Sequence, residues 1–311
     1  MKRSEAMGAQ SLPPVINAFI CGLQKAGTSS LYHWLGQHPS ITTSLKAKDY
    51  PAFSKEDGLQ RERIATLASW FVEDGRVDDF ALSTDANLIY SQAGLRRLYE
   101  YNRQTKLVIL IRHPLQRISS AWGYARERGL ELRTLDVAVS EELDGKEFPW
   151  DSYEGRQMNY IKHSFFVDKI EEAKKLFGGR GVLVVPFGAL VKHPSLVVTC
   201  CLQHFGLSDE KTFDYSIKNA TASRSRSSFL NKILYREKNS LIFKLLRSGI
   251  RAEVRAGIRN ALVKFNRVGG RAELSEPLEI KLEHKLTKVF QRELVYLSDL
   301  ESAFAGFHDN P

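Results

Sequence analysis

The feature that most constrains the fold of this chain is a set of three apolar runs associated with helical patterns. The runs span residues 15–21, 106–111 and 181–185, and their residues do not alternate between polar and apolar. Strands that are apolar throughout are typical of a parallel sheet with helices on both faces, because both faces are then buried. Helical patterns at residues 28–37 and 160–177 supply covering layers. The sequence therefore predicts an α/β fold with a central parallel sheet flanked by helices and a helical C-terminal third.

Length and composition favour one large domain. A chain of 311 residues with 43% apolar and 26% charged residues buries an ample core. We see no internal repeat and no low-complexity linker, and we expect residues 1–14 to be a mobile lead-in and residues 15–311 to be a single domain.

The location of the protein is predicted from its cysteines and its apolar runs. Three cysteines cannot form a closed disulfide framework, and Cys200 and Cys201 are adjacent in an apolar run. No run approaches the length of a transmembrane helix, and a secretory signal is disfavoured. A reducing compartment and a cytoplasmic location follow as expectations.

The clearest chemistry lies in the loop between the first apolar run and the first helix. Residues 22–31 read G-L-Q-K-A-G-T-S-S-L. A loop that leads into a helix directs backbone N–H groups and the positive end of the helix dipole toward an anion. Lys25 adds a full charge, and Thr28, Ser29 and Ser30 add hydroxyl donors. The loop is a predicted phosphate cradle, and the alternative is a tight turn whose hydroxyls cap the helix.

The order of residues in this loop argues against an ordinary nucleotide triphosphatase. A Walker A loop requires a lysine directly after its second glycine. Gly22 and Gly27 have the Walker spacing, but Thr28 follows Gly27, and Lys25 precedes it by two residues. The order K-x-G-T-S-S resembles instead the 5′-phosphosulfate loop of sulfotransferases that use 3′-phosphoadenosine 5′-phosphosulfate (PAPS). It is most similar to the branch that contains the heparan sulfate sulfotransferases and their bacterial relatives.

The resemblance extends over roughly residues 15–207. The family binds the 3′-phosphate with an arginine at a strand end and a serine eight positions later, and Arg112 and Ser120 have this spacing. A guanidinium can grip a phosphate with two parallel hydrogen bonds. A third block, residues 164–207, follows the family's order, except that Gly188 stands where the family usually has a glutamate.

The resemblance implies a P-loop-like three-layer fold, a set of PAPS-binding residues and no metal. By position, that set is Lys25, Ala26, Gly27, Thr28, Ser29, Ser30, Arg112, Ser120 and Arg226. No cluster of histidine, cysteine and carboxylate residues has metal-ligand spacing.

Two residues are predicted to carry the chemistry of transfer. The family's lysine contacts the leaving 5′-phosphate, which assigns that role to Lys25. The heparan-type enzymes place their catalytic glutamate in a K-E-x-x-F-F motif, and Asp49 in residues 48–53, K-D-Y-P-A-F, occupies that position. A carboxylate can act as a general base if it is held at the acceptor oxygen. The alternative is an Asp that caps a helix or lies on the surface.

Histidines are the other candidates for the base, because the cytosolic small-molecule sulfotransferases use a histidine. His163 remains an alternative base. His33 is expected to pack, and His113 is expected to serve local structure. Asp85, Asn87 and Tyr90 are candidates for the lining of the acceptor cleft.

The positive charge of the chain is concentrated in one segment. Residues 224–271 hold 13 basic residues and two acids, within a chain whose net charge is +9. Residues 250–262 have the pattern of a basic amphipathic helix. Three interpretations of this helix stay open. It packs on the domain with its charged face in solvent, it contacts a membrane peripherally, or it binds an acidic glycan. Nucleic-acid binding is not expected, because no reading motif accompanies the charge.

The hypothesis that the sequence favours is a PAPS-dependent sulfotransferase that acts on a carbohydrate or glycolipid acceptor. Two alternatives stay open. A P-loop kinase predicts a lysine after Gly27, which is absent. A catalytically silent module that binds a glycan or the product 3′-phosphoadenosine 5′-phosphate (PAP) predicts binding without turnover.

Overall fold

The structure is a computed structural model that describes residues 16–44, 46, 48–56, 58–74, 80–150, 152–209, 212–216, 223–225, 267–269 and 278–308. The predicted lead-in, Arg226 and the predicted basic helix at residues 250–262 lie outside these residues.

A five-stranded parallel sheet forms the centre of the described chain. Its strands are β1 (Ile16–Gly22), β2 (Ile41–Thr42), β3 (Phe80–Thr84), β4 (Lys106–Ile111) and β5 (Val182–Pro186). The spatial order is β2-β3-β1-β4-β5, and each pair is parallel. The predicted parallel sheet is confirmed, and β1, the strand that leads into the phosphate loop, lies in its middle.

Helices flank the sheet and continue into the C-terminal region, as predicted. They are α1 (Thr28–Leu35), α2 (Gln60–Asp74), α3 (Gln92–Tyr101), α4 (Pro114–Glu127), α5 (Leu135–Leu143), α6 (Tyr153–Met158), α7 (Val167–Phe177), α8 (Phe187–Lys192), α9 (Pro194–Phe205), α10 (Ile280–Val289) and α11 (Gln291–His308). Strands β6 (Ser223–Ser225) and β7 (Arg267–Gly269) form a separate antiparallel pair. Among the described residues, no helix combines the length and the apolar character needed to cross a membrane.

The apolar runs form the core. The side chains of β4 from Leu107 to Ile111 are all fully buried, as expected for a strand covered on both faces. A second apolar cluster surrounds Trp122 and Tyr160 and includes Leu286 of α10 and Phe290, which directly follows that helix. The C-terminal helices are therefore part of the hydrophobic core of the described chain.

One predicted helix begins later than expected. The pattern at residues 160–177 predicted a continuous helix, but α7 begins at Val167, and a 3₁₀ turn spans Lys162–Ser164. The carbonyl of Tyr160 accepts hydrogen bonds of 2.8 Å from Arg117 Nη2 and from Ser164 Oγ. These side-chain donors compete with the backbone donors that a regular helix would use.

Candidate cosubstrate and acceptor site

The phosphate loop turns sharply between β1 and α1. Lys25 and Gly27 adopt left-handed backbone conformations, with φ of 75° and 92°. Leu23 N donates to Leu110 O of β4 at 2.8 Å, and Ala26 N donates to Leu23 O at 3.0 Å. A Cβ on Gly27 would lie 2.5 Å from Leu190 Cδ2 of α8, so the close approach of α8 requires a glycine there.

The three predicted hydroxyl residues lie in the first turn of α1. Thr28 and Ser30 are largely buried, and Ser29 is half-buried. Gly27 is the N-cap residue, and its carbonyl accepts from the backbone N–H groups of Ser30 and Leu31. The helix dipole therefore points its positive end at the loop, which is the arrangement that binds a phosphate.

The ammonium of Lys25 lies against the last turns of α4. Its Nζ is 4.4 Å from the centre of the Tyr124 ring, and the guanidinium of Arg128 is 3.9 Å from the same centre. The pKa of Lys25 is lowered to about 8, mainly by burial; Glu127 opposes the fall, and Arg128 and Arg112 add to it. A cationic group that is partly desolvated and faces other cations has a strong preference for an anionic ligand.

Arg112 and Ser120 both belong to the β4–α4 unit, as the sequence predicted. Arg112 follows β4, and its Nη1 donates to Lys25 O at 3.0 Å, which joins it to the phosphate loop. Its guanidinium lies 4.4 Å from the centre of the Phe187 ring. Ser120 lies half-buried on α4. Strand β6, whose last residue directly precedes Arg226, contacts α4, but Arg226 itself lies outside the described residues.

Asp49 lies at the carboxyl end of the sheet, beside the phosphate loop. Its backbone N–H donates to Thr84 O at 3.0 Å, and Thr84 is level with Ile20 in the pairing of β3 with β1. The Asp49 side chain is 44% exposed and forms an ion pair with Lys48. The structure therefore brings the candidate base to the strand next to the loop, in a position that an acceptor in solution can reach.

Asp85, one of the predicted cleft residues, is instead enclosed. It is 1% exposed, it accepts from Asn87 N at 2.9 Å, and it accepts from the hydroxyl of Ser54. Burial raises the pKa of Asp85 to about 6, although the bonds from Ser54 and Asn87 oppose the rise.

An aromatic cluster that sequence reasoning did not find surrounds His163. The ring of Tyr90 stacks on the imidazole with centres 4.3 Å apart, and Trp150 contacts both rings edge-on. Burial lowers the pKa of His163 well below its usual value, with Arg117 adding to the effect, so the imidazole is neutral at pH 7. Its Nε2 is buried without a hydrogen-bond partner among the described residues. The imidazole of His163 is 2% exposed, so an acceptor reaches it less easily than it reaches the carboxylate of Asp49.

A contact over 133 residues connects this cluster to the phosphate loop. Gln24 Nε2 donates to Gln157 Oε1 of α6 at 2.6 Å. The segment that carries Trp150 and Gln157 therefore folds over the residue that precedes Lys25. No spacing in the sequence signals this pairing, because the partners come from distant segments.

The other histidines take different positions. His33 is exposed on the last turn of α1, so the expectation that it packs is wrong. His113 is the N-cap residue of α4, which is a local structural position as expected. Neither imidazole has a contact that ties it to the loop or to Asp49 among the described contacts.

The related family usually has a glutamate at the position of Gly188, and α11 places the carboxylate of Glu301 beside this position. An ideal Cβ on Gly188 would lie 2.4 Å from Oε1 of Glu301. The carboxylate of Glu301 thus occupies the space next to Gly188, and it also acts on His113, whose pKa burial lowers and Glu301 raises.

No family model and no curated protein matches the sequence, but solved structures do match the fold. A sulfotransferase from Alicyclobacillus acidocaldarius shares 22% sequence identity, with a TM-score of 0.56 over 66% of this chain and 87% of that chain. Mouse sulfotransferase SULT7A1 complexed with PAP shares 16% identity, with a TM-score of 0.48 over 95% of this chain and 90% of that chain. The sulfotransferase domain of the Synechococcus PCC 7002 olefin synthase shares 14% identity, with a TM-score of 0.44 over 93% and 98%.

The fold of the chain is that of a sulfotransferase. The similarity to the Alicyclobacillus enzyme confirms at the level of the fold the resemblance that the loop and the Arg112–Ser120 spacing indicated. The assignment to the heparan sulfate branch stays a prediction. The expectation that no metal takes part also stays a prediction, although the described residues contain no cluster of three or more metal-ligating side chains.

Proposed function

We propose that this protein is a PAPS-dependent sulfotransferase that moves the sulfuryl group of PAPS onto a hydroxyl or amine of a carbohydrate-type acceptor and releases PAP. The observation that carries the proposal is the hydrogen bond from Arg112 Nη1 to Lys25 O. It joins the residue proposed for the 3′-phosphate to the loop proposed for the 5′-phosphosulfate. A ligand with phosphates at both ends of one ribose fits two cationic sites joined in this way, and ATP does not need the second site.

The residues present fit PAPS. The N-terminus of α1 and the hydroxyls of Thr28, Ser29 and Ser30 offer donors to the 5′-phosphosulfate. Arg112 offers a guanidinium fork to the 3′-phosphate, and Ser120 completes that site in the proposal. Arg226 is proposed to reach a phosphate from the segment that follows β6.

The proposed transfer is an in-line displacement at sulfur. The acceptor oxygen or nitrogen forms a bond to sulfur, the bond from sulfur to the bridging phosphate oxygen breaks, and the acceptor proton passes to the Asp49 carboxylate. Lys25 stabilises the negative charge that develops on the bridging oxygen. Positioning and charge stabilisation dominate in such reactions, and one charge-stabilising donor contributes about 3–4 kcal/mol.

A carbohydrate-type or glycolipid acceptor is supported by the aromatic side chains beside the loop. Tyr90 and Trp150 are half-buried and lie next to the contact between Gln24 and Gln157. Aromatic faces with neighbouring amide groups are suited to a ring that carries hydroxyls.

We propose a cytoplasmic enzyme, with residues 224–271 as the candidate peripheral membrane contact near a lipid-linked acceptor.

The experiment that tests the function compares the thermal stabilisation of the protein by PAP, ADP and ATP–Mg²⁺. A ligand that binds the native state raises the apparent Tm. We expect PAP to stabilise the protein well beyond ADP, and we expect radiolabelled sulfate to pass from PAPS to members of a carbohydrate acceptor panel. Stabilisation by ATP–Mg²⁺ without a preference for PAP would favour a kinase. PAP binding without transfer to any acceptor would favour the silent module.

A further inference from the structure

The loop that carries Asp49 is fixed at both ends to two consecutive residues of the sheet edge. We call residues 49–54 the Asp49 loop. At its start, Asp49 N donates to Thr84 O at 3.0 Å. At its end, the hydroxyl of Ser54 donates to Oδ2 of Asp85. Because Thr84 and Asp85 are neighbours, both anchors meet at the carboxyl end of β3. Arg97 of α3 also holds the loop, through hydrogen bonds of 2.9 and 2.6 Å to the carbonyl of Phe53.

The first anchor holds Asp49 in a backbone conformation that few residues adopt. Its φ is 56°, in the left-handed region, which costs most residues with a Cβ about 1–2 kcal/mol. Aspartate enters this region more readily than most residues do, because its short polar side chain can form local hydrogen bonds. The bond from Asp49 N to Thr84 O is the backbone anchor of this residue.

The second anchor is made by the side chain of Asp85. Both oxygens of Asp85 act as acceptors, one for Ser54 Oγ and the other for Asn87 N at 2.9 Å. The backbone N–H of Asp85 donates to Ile20 O of β1 at 3.1 Å, which holds the residue beside the phosphate loop. An alanine at this position would remove both acceptors, whereas an asparagine could keep both bonds by donating to Ser54 Oγ and accepting from Asn87 N.

The charged and titratable groups that face Asp85 come from three directions. Cys21 lies on β1, Asp49 lies on the loop, and Arg156 lies on α6. The Asp85 side chain is 1% exposed, so it does not contact an acceptor itself. Burying a carboxylate is costly, and such groups are retained where they have a task.

We propose that Asp85 is a positioning residue for the sulfuryl transfer, which holds Ser54 and thereby the Asp49 loop in the geometry in which Asp49 accepts the acceptor proton. The proposal rests on the proposed function, with Asp49 as the base.

The test compares Asp85→Ala with Asp85→Asn, with Ser54→Ala and with the wild type in two measurements. Hydrogen exchange at pH 7 reports the protection of amides in residues 49–54 without the need for an acceptor. In Asp85→Ala, we expect this protection to fall, while amides of α1 keep theirs. In Asp85→Asn, which can keep both bonds, we expect protection close to that of the wild type.

The second measurement is sulfate transfer from PAPS to 4-nitrophenyl β-D-glucoside. We expect Asp85→Ala to lower kcat about 10- to 100-fold, because the base is displaced, with the dissociation constant of PAP unchanged. We expect Asp85→Asn to recover most of this loss, and Ser54→Ala to show the loss at pH 7.5. If this glucoside is not a substrate, the exchange experiment decides alone.

The outcomes separate this proposal from the proposed function. A wild type that does not bind PAP overturns the function, whatever the exchange shows. A wild type that binds PAP, together with an Asp85→Ala protein whose loop protection and kcat are unchanged, overturns the role of Asp85. A variant that loses PAP affinity in parallel with kcat also overturns it, because the residue would then support the whole site.

Discussion

The guanidinium of Arg112 donates a hydrogen bond of 3.0 Å to the carbonyl oxygen of Lys25, a residue 87 positions earlier in the chain. The contact ties the end of β4 to the middle of the phosphate loop. Phe187 holds the other face of the guanidinium at 4.4 Å. Because both contacts hold the side chain of Arg112, they fix the position of the proposed 3′-phosphate site relative to the phosphate loop.

Replacement of Arg112 tests the proposed 3′-phosphate site. We expect Arg112→Ala to weaken PAP binding about 10- to 100-fold, the effect of losing a hydrogen bond to a charged group, with a much smaller effect on ADP. Arg112→Lys keeps the charge but not the fork, so we expect it to recover only part of the loss. Isothermal titration with PAP and ADP measures both effects.

A matched control for Arg112 is Arg103→Ala. Arg103 precedes β4, so it lies at the opposite end of the strand that Arg112 follows, and its guanidinium lies over Tyr99. We expect its removal to leave PAP affinity unchanged. If Arg103→Ala and Arg112→Ala weakened PAP binding equally, the loss would reflect net charge and not a site.

Replacement of Gly22 tests how closely β1 and β4 must approach each other at the start of the phosphate loop. A Cβ on Gly22 would lie 2.2 Å from Leu110 O, a backbone atom that cannot move without opening the sheet. Gly145 also has a positive φ, of 92°, but nothing lies within 4 Å of its Cβ position. We expect Gly145→Ala to cost about 1–2 kcal/mol of unfolding free energy and Gly22→Ala about 3 kcal/mol or more. Urea unfolding measures both values, and equal losses would show that backbone strain alone matters.

The sequence predicted the central strands and the loop because their signals are local. The apolar runs of β1, β4 and β5 are continuous, and the residues of the phosphate loop are adjacent in the chain. Strand β3 was not predicted. Its five residues, F-A-L-S-T, include two hydroxyl residues, and only its position between β1 and β2 makes it a buried strand. Pairing of this kind depends on tertiary packing that no local pattern encodes.

The parts of the site that sequence reasoning missed arise from contacts between distant segments. Gln24 and Gln157 are 133 residues apart, and Tyr90 and His163 are 73 residues apart. The surroundings of the predicted base also depend on such contacts. The motif that contains Asp49 could be recognised in the sequence, but the proposed role of Asp85 could not, because the bond from Ser54 to Asp85 exists only once the loop packs on β3.

Replacement of Gly188 tests whether the carboxylate of Glu301 fills the space where the family motif places a carboxylate. Alanine favours a helix over glycine by about 0.5–1 kcal/mol, but a Cβ on Gly188 would lie 2.4 Å from Glu301 Oε1. We therefore expect Gly188→Ala to give little or no gain in stability in the wild type and the full gain in a Glu301→Ala background. A double-mutant cycle by urea unfolding measures the coupling. Additive effects would show that the Glu301 carboxylate moves away without cost.

The pH dependence of cosubstrate capture tests the state of Lys25. Burial lowers the pKa of this ammonium from its usual value of 10.5 to about 8, so the free enzyme loses the positive charge as the pH rises through 8. We expect kcat/KM for PAPS, which reports the free enzyme, to be constant below pH 8 and to fall about tenfold per pH unit above it. The profile of kcat should bend at a higher pH, because bound PAPS favours the protonated lysine. In Lys25→Arg the guanidinium stays charged, so its lower kcat/KM should not change between pH 7 and 9.5. A wild-type profile that is flat up to pH 9.5 would mean that the charge of Lys25 does not capture PAPS.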